Sequence, residues 1–170
     1  MKKKIVCAVI LLLVVSVIAS CVIYKTVQKK QQEKMYNDAF TELFVNERNG
    51  VFSLYEAIGT TIENPTEENY NKALNTAIKT EKICGETFGK ICNMVPTYGA
   101  ELVYYATFYR DVKATLSSKG DLEELNGIYE LLGKITALYD SHSNSENISD
   151  NSKKISEFYR SLSLLNEEMK

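Results

Sequence analysis

Twenty consecutive residues without a charge, Ile5 to Tyr24, constrain this chain more than any other feature. They follow Met1-Lys2-Lys3-Lys4 and include a run of aliphatic residues from Val9 to Val15. A helix of that length, at ~1.5 Å per residue, spans ~30 Å, the hydrocarbon thickness of a bilayer. A soluble core helix rarely carries so long an uncharged run. The block therefore reads as a membrane span or an export signal. Tyr24 and Lys25 stand where an interfacial aromatic and a snorkelling cation belong.

Three fates are open to such a block: a signal-anchor that stays in the membrane, a signal peptide that is removed, or a lipoprotein precursor. Ile18-Ala19-Ser20-Cys21 resembles the bacterial lipobox, an aliphatic residue and two small ones before a cysteine. The resemblance implies that Cys21 receives a diacylglycerol and becomes the new N-terminus. Against it, Val22, Ile23 and Tyr24 prolong the apolar run where a mature lipoprotein usually begins polar. We expect a retained anchor, with lipidation at Cys21 as the alternative. The charges beside the block leave its orientation tied. Lys2, Lys3, Lys4 and the α-amine face Lys25, Lys29, Lys30 and Lys34. A short basic leader before an apolar stretch is how export signals look, so the expected arrangement is N-inside with the rest outside the cytoplasm.

Charge then divides the chain. Residues 25–34 carry four Lys and one Glu, whereas residues 35–170 carry 13 Lys or Arg against 21 Asp or Glu, a net −8. The expected organisation is a signal-anchor or lipoprotein segment at 1–24, a basic juxtamembrane collar at 25–35 near anionic headgroups, and an extracytoplasmic domain at 36–170. An overall net charge of −2 argues against a nucleic-acid partner. One His in the chain cannot supply a His-based metal site, so no metal or cofactor is expected.

Beyond residue 35 the periodicity is helical. Tyr36, Phe40, Leu43, Phe44, Val51, Leu54, Tyr55, Ile58 and Ile62 step by three and four, with a gap at Glu47 and a possible kink at Asn49-Gly50. Asn64-Pro65-Thr66-Glu67 reads as a stop and restart, with Asn64 as cap and Pro65 in the first turn. Tyr70, Leu74, Ala77, Glu81, Cys84, Phe88, Ile91 and Val95 then keep heptad spacing, with Gly85 and Gly89 allowing a close neighbour and Pro96 ending the helix. A third helix carries Leu102, Tyr105, Tyr109, Val112 and Leu116, closed by Gly120 in a left-handed cap. A fourth starts at a capping box, Asp121 to Glu124, and carries Leu125, Ile128, Tyr129, Leu132, Ile135 and Tyr139. Ser141 to Asp150 reads as a polar loop, and a fifth helix carries Ile155, Phe158, Leu162, Leu165 and Met169. No stretch alternates with period two. The expected fold is all-α: the N-terminal transmembrane or signal helix, then an antiparallel bundle of four to five helices burying their stripes together.

Few residues suggest chemistry. Cys84 and Cys92, eight apart on one helix, would lie ~12 Å apart, beyond the reach of a disulfide, so core thiols are expected. His142 stands in the polar loop with no signature of a catalytic partner. Tyr98, Tyr104, Tyr105, Phe108 and Tyr109 crowd one short helix. Tyr105 and Tyr109 suit the core, and Tyr98, Tyr104 and Tyr105 are the candidate binding surface, since tyrosine offers area with little entropy loss. The acidic pairs Glu67/Glu68, Glu123/Glu124 and Glu167/Glu168 point ~100° apart on a helix and form no shared acid site. No phosphate loop, dinucleotide fingerprint, nucleophile elbow or zinc-protease helix is present. Asn147-Ile148-Ser149 fits a glycosylation sequon, relevant only in a eukaryotic secretory route.

These features lead to an expectation of a membrane-anchored, extracytoplasmic helical domain that binds an envelope protein and is not an enzyme. The alternative is a lipoprotein or sensor with a small ligand between its helices. An enzyme without a recognisable motif is the third reading. Oligomeric state is open.

Overall fold

The structure, a computed structural model, describes residues 2–92, 102–143 and 151–168. Every described element is helical. Helix α1 covers Lys2–Thr41, a π-helical segment Glu42–Glu47, and α2 Arg48–Glu63; α3 is Glu67–Cys92, α4 Leu102–Ser118, α5 Leu122–Ser143 and α6 Asn151–Glu168. By compactness the chain divides into Met1–Tyr36 and Asn37–Lys170.

In the first unit, side chains from Ile10 to Val27 such as Leu12, Val17 and Ile23 are exposed. This helix is long and apolar enough to cross a membrane. Its hydroxyls bond within the helix. Ser16 donates to the Leu13 carbonyl, Ser20 to Ser16 and Thr26 to Val22, each at 2.8 Å. Such internal bonding is what polar groups in an apolar surrounding require.

The second unit buries one stripe from each of its helices. Leu43, Phe44, Val51, Leu54 and Ile58 pack against α3 and α5. The α3 stripe differs from the sequence pattern at alternate positions. The buried residues are Tyr70, Ala73, Ala77, Thr80, Cys84, Thr87 and Ile91. Leu74, Glu81 and Phe88 stand half-buried at its edge. Small side chains at those positions let α2 and α3 approach closely, and Thr80 Oγ1 donates to the Gly50 carbonyl at 3.0 Å across the contact. Helix α2 accordingly runs through Asn49-Gly50 without a break. A Cβ on Gly85 or Gly89 would meet nothing within 4 Å, so neither serves a close approach among the described residues. From α5 come Leu125, Leu132, Ile135 and Tyr139, and from α6 Ile155, Phe158, Tyr159 and Leu162.

Local capping corrects two further expectations. Asn64 (φ −141°) closes α2 instead of opening α3. The N-cap of α3 is Thr66, whose Oγ1 accepts the Asn69 amide at 3.3 Å. At the end of α4 the left-handed residue is Lys119 (φ 52°), not Gly120. Gly120 N–H bonds Thr115 O at 2.8 Å and Lys119 N–H bonds Leu116 O at 3.4 Å, the two bonds of a Schellman motif. Gly120 is required there for space, since a Cβ would fall 2.8 Å from Thr115 Cγ2. The expected cap at Asp121 is present, its Oδ1 accepting the Glu124 amide at 2.8 Å.

Candidate functional site

Two clusters of polar and aromatic groups stand out in the second unit, one enclosed and one open. The enclosed one begins at Glu47, the residue that interrupts the apolar stripe. It is not a gap in that stripe but part of it, 2% exposed at the end of the π-helical segment. Tyr139 of α5, fully buried, donates its hydroxyl to Glu47 Oε1 at 2.5 Å. The Cys84 thiol of α3 donates to the Tyr109 hydroxyl of α4 at 3.4 Å. Burial first, then the Glu47, Cys84 and Tyr109 groups nearby, push the Tyr139 hydroxyl well above its ordinary range. A carboxyl, two phenols and a thiol thus bring together four elements. All four side chains are sealed from solvent, so the arrangement specifies packing; no substrate reaches it in this conformation. Around it Phe158 packs at 5.3 Å from Phe44 and 4.6 Å from Tyr139.

The open cluster lies on the outer side of α2. A groove of about 430 Å³ runs between the π-helical segment, α2 and α3, lined by Asn46, Asn49, Ser53, Thr76 and Lys79 among others. A second, of about 520 Å³, shares Ser53 and Thr76 and adds Glu56, Thr60, Lys72 and Tyr129. Beside it Tyr55 and Tyr129 stack with centroids 4.3 Å apart and planes 10° apart. Gly59 leaves the room this stack needs, whereas a Cβ at Gly133 would make only ordinary contact. A Cβ on Gly59 would lie 3.0 Å from the Tyr129 ring, and one on Gly133 would lie 3.4 Å from the Tyr55 ring. Each tyrosine thus covers a glycine of the other's helix. The adjoining Tyr55 side chain is the main cause that raises the Tyr129 hydroxyl above its ordinary range, with desolvation next and Glu63 adding least.

Ion pairs link the helices of this unit. Lys90 donates to Glu42 at 2.6 Å, and with Asn46 at 3.1 Å it holds the Glu42 carboxyl below the usual range. Arg48 grips Asp140 of α5 through Nη2 at 2.6 Å and Nε at 2.9 Å, with its guanidinium 5.9 Å from the Phe52 ring centroid. Lys113 of α4 donates to Glu81 of α3. Among the described residues no group of three His, Cys, Asp or Glu is placed to hold a metal ion.

The sequence candidates fall elsewhere. Cys21 is exposed on α1. Tyr98 lies outside the described residues. Tyr104 and Tyr105 belong to α4, but their side chains lie outside them too. Tyr109 is buried, as its place on the stripe predicts. Helix α3 runs unbroken from Cys84 to Cys92, so a bridge between the two is out of reach. His142 is corrected from loop to helix. It sits half-buried in the last turn of α5, its ring 5.9 Å from Phe158 and its Nδ1 2.9 Å from the Leu138 carbonyl.

Sequence reasoning missed both clusters. Glu47 was legible as a member of the stripe, since 44, 47, 51, 54 and 58 keep steps of three and four. So was the groove, because Asn46, Asn49, Ser53, Glu56, Thr60 and Glu63 form a second row at the same spacing. In comparisons with known proteins the chain matches no family model, and neither a curated protein nor a solved structure matches it significantly.

Proposed function

We propose that this chain is a membrane-anchored, extracytoplasmic helical bundle that acts in the cell envelope by binding and without catalysis. In this reading residues 1–24 anchor it, residues 25–35 form a basic collar beside anionic headgroups, and residues 36–170 form the bundle. The observation that carries the binding role is the outer face of α2. There two adjoining open grooves present amide, hydroxyl and charged side chains beside a half-exposed tyrosine stack. Both grooves are open to solvent, whereas a small ligand gains most from enclosure, so this face suits a larger partner better than the small-ligand alternative.

The test is site-specific photocrosslinking from Ser53 of the full chain in its native membrane. Discrete adducts at Ser53, absent from a probe on α6 at Lys153, are the expected result. Indistinguishable patterns at the two sites would overturn the binding role of this face. Topology is read in the same membranes from Ser53→Cys with an impermeant maleimide, because the Cys84 thiol is buried. Labelling of intact cells is expected. The intact mass decides the anchor: full length supports retention, and loss of residues 1–20 with added acyl chains makes Cys21 the attachment point.

A further inference from the structure

We propose that the outer face of α2 takes a neutral glycan strand rich in hydroxyl and acetamido groups; this deepens, and rests on, the binding role assigned above to that face. Four features of the grooves select this chemistry.

The first is shape. The two grooves share Ser53 and Thr76 and so form one open trough. Its α2 wall from Asn49 to Glu63 is ~21 Å long at ~1.5 Å per residue. An open trough of that length fits an extended polymer, whereas a metabolite gains most affinity from enclosure.

The second is the hydrogen-bonding character of the walls. Asn46, Asn49, Ser53, Thr60 and Thr76 line the walls with amides and hydroxyls, of which Asn46 already donates to Glu42, Thr60 to the Glu56 carbonyl and Thr76 to the Lys72 carbonyl. Amides and hydroxyls both donate and accept, and sugar hydroxyls and acetamido groups have the same dual character. Asn49 and Ser53 side chains make no hydrogen bond with protein among the described residues, so their capacity is open to a ligand.

The third is charge. Glu56 and Glu63 face Lys72 and Lys79 across the trough, Glu42 is already held by Lys90, and Glu86 lies 3.9 Å from Lys82. The field therefore favours neither a polyanion nor a polycation.

The fourth is the near absence of an apolar anchor pocket. Ile83 and Ala57 are the apolar side chains of the two linings apart from the tyrosine rings. A peptide partner needs a buried aromatic or aliphatic anchor to bind firmly. A glycan needs only polar walls and an aromatic surface for its C–H groups, which the Tyr55–Tyr129 stack provides.

The probe is a β-1,4-linked N-acetylglucosamine tetramer, titrated calorimetrically into the full chain in lipid nanodiscs. Saturable binding is expected, weakened about tenfold by Asn49→Leu and again by Ser53→Leu. Both residues are exposed, so these variants are expected to keep the circular dichroism and urea midpoint of the parent. No saturable binding, or binding unchanged in both variants, overturns the glycan assignment. If the tetramer fails while Ser53 crosslinks a protein, the occupant is a peptide segment. The binding role then survives and the glycan does not. If neither occurs, both fall together.

Discussion

Tyr129 and Tyr139 stand on the same helix, α5, and meet opposite surroundings. Tyr139 is fully buried and gives its hydroxyl to the buried Glu47 carboxyl. Tyr129 is half-exposed, stacked on Tyr55, with its hydroxyl at the rim of an open groove. Both hydroxyls titrate above the ordinary tyrosine range, but for different reasons. Burial dominates at Tyr139, and the neighbouring Tyr55 side chain dominates at Tyr129. One end of the α2–α5 contact is therefore an enclosed polar knot that ties the core together. The other is a surface made from the same residue type and open to solvent. What separates them is the number of elements packed around each ring, not the ring itself.

The comparison breaks first if the enclosed end is not the stabilising one. Phe158→Ala removes a fully buried ring that touches Phe44, Tyr139 and Tyr159. The expected loss is ~4 kcal/mol by urea unfolding. Tyr129→Ala, at the open end, should shift the midpoint far less; an equal shift would remove the distinction. Next comes Tyr139→Phe, which withdraws the donor from Glu47 inside the core. A loss of ~2 kcal/mol is expected, and pairing it with Glu47→Met should restore part of that loss because the two side chains are coupled.

Alkaline titration sharpens the same contrast. The folded-state value of Tyr139 lies above its unfolded value of ~10, so its contribution is fully present below that pH and fades as pH rises through the folded value. Stability should fall at high pH in the parent and fall less in Tyr139→Phe. By ultraviolet difference absorbance, Tyr139 should ionise only as the protein unfolds, whereas Tyr129 should ionise in the folded state. Glycine replacements give the smallest effects. Gly59→Ala drives a Cβ against the Tyr129 ring and should lower stability by ~1 kcal/mol. Gly85→Ala meets open space and should raise it by ~0.8 kcal/mol through helix propensity.

The helices were legible because apolar stripes repeat at helical spacing, and every described element is helical as that spacing predicts. Register within a stripe was less legible. On α3 the heptad admitted either Leu74, Glu81 and Phe88 or Ala73, Thr80 and Thr87. Hydrophobicity favoured the first set, yet the close approach of α2 buried the second. Capping was read one or two positions off, since Asn64, Thr66, Lys119 and Gly120 can each satisfy a helix end and the geometry of the turn decides among them. The tyrosines chosen from sequence on α4 stood out by crowding. Tyr55 and Tyr129 did not, because they are 74 positions apart and nothing local marks them as partners.

From the sequence alone came the long apolar segment, the basic stretch after it, the helical class and most of the buried positions. Length, charge and periodicity are properties of contiguous residues, and they act before any helix meets another. Tertiary structure alone decided that Tyr139 answers Glu47, and that Gly59 leaves room for a tyrosine stack beside the α2 grooves. These depend on which helix faces which and at what distance, and a hydrogen bond or ring stack between distant positions exists only once packing has set that distance.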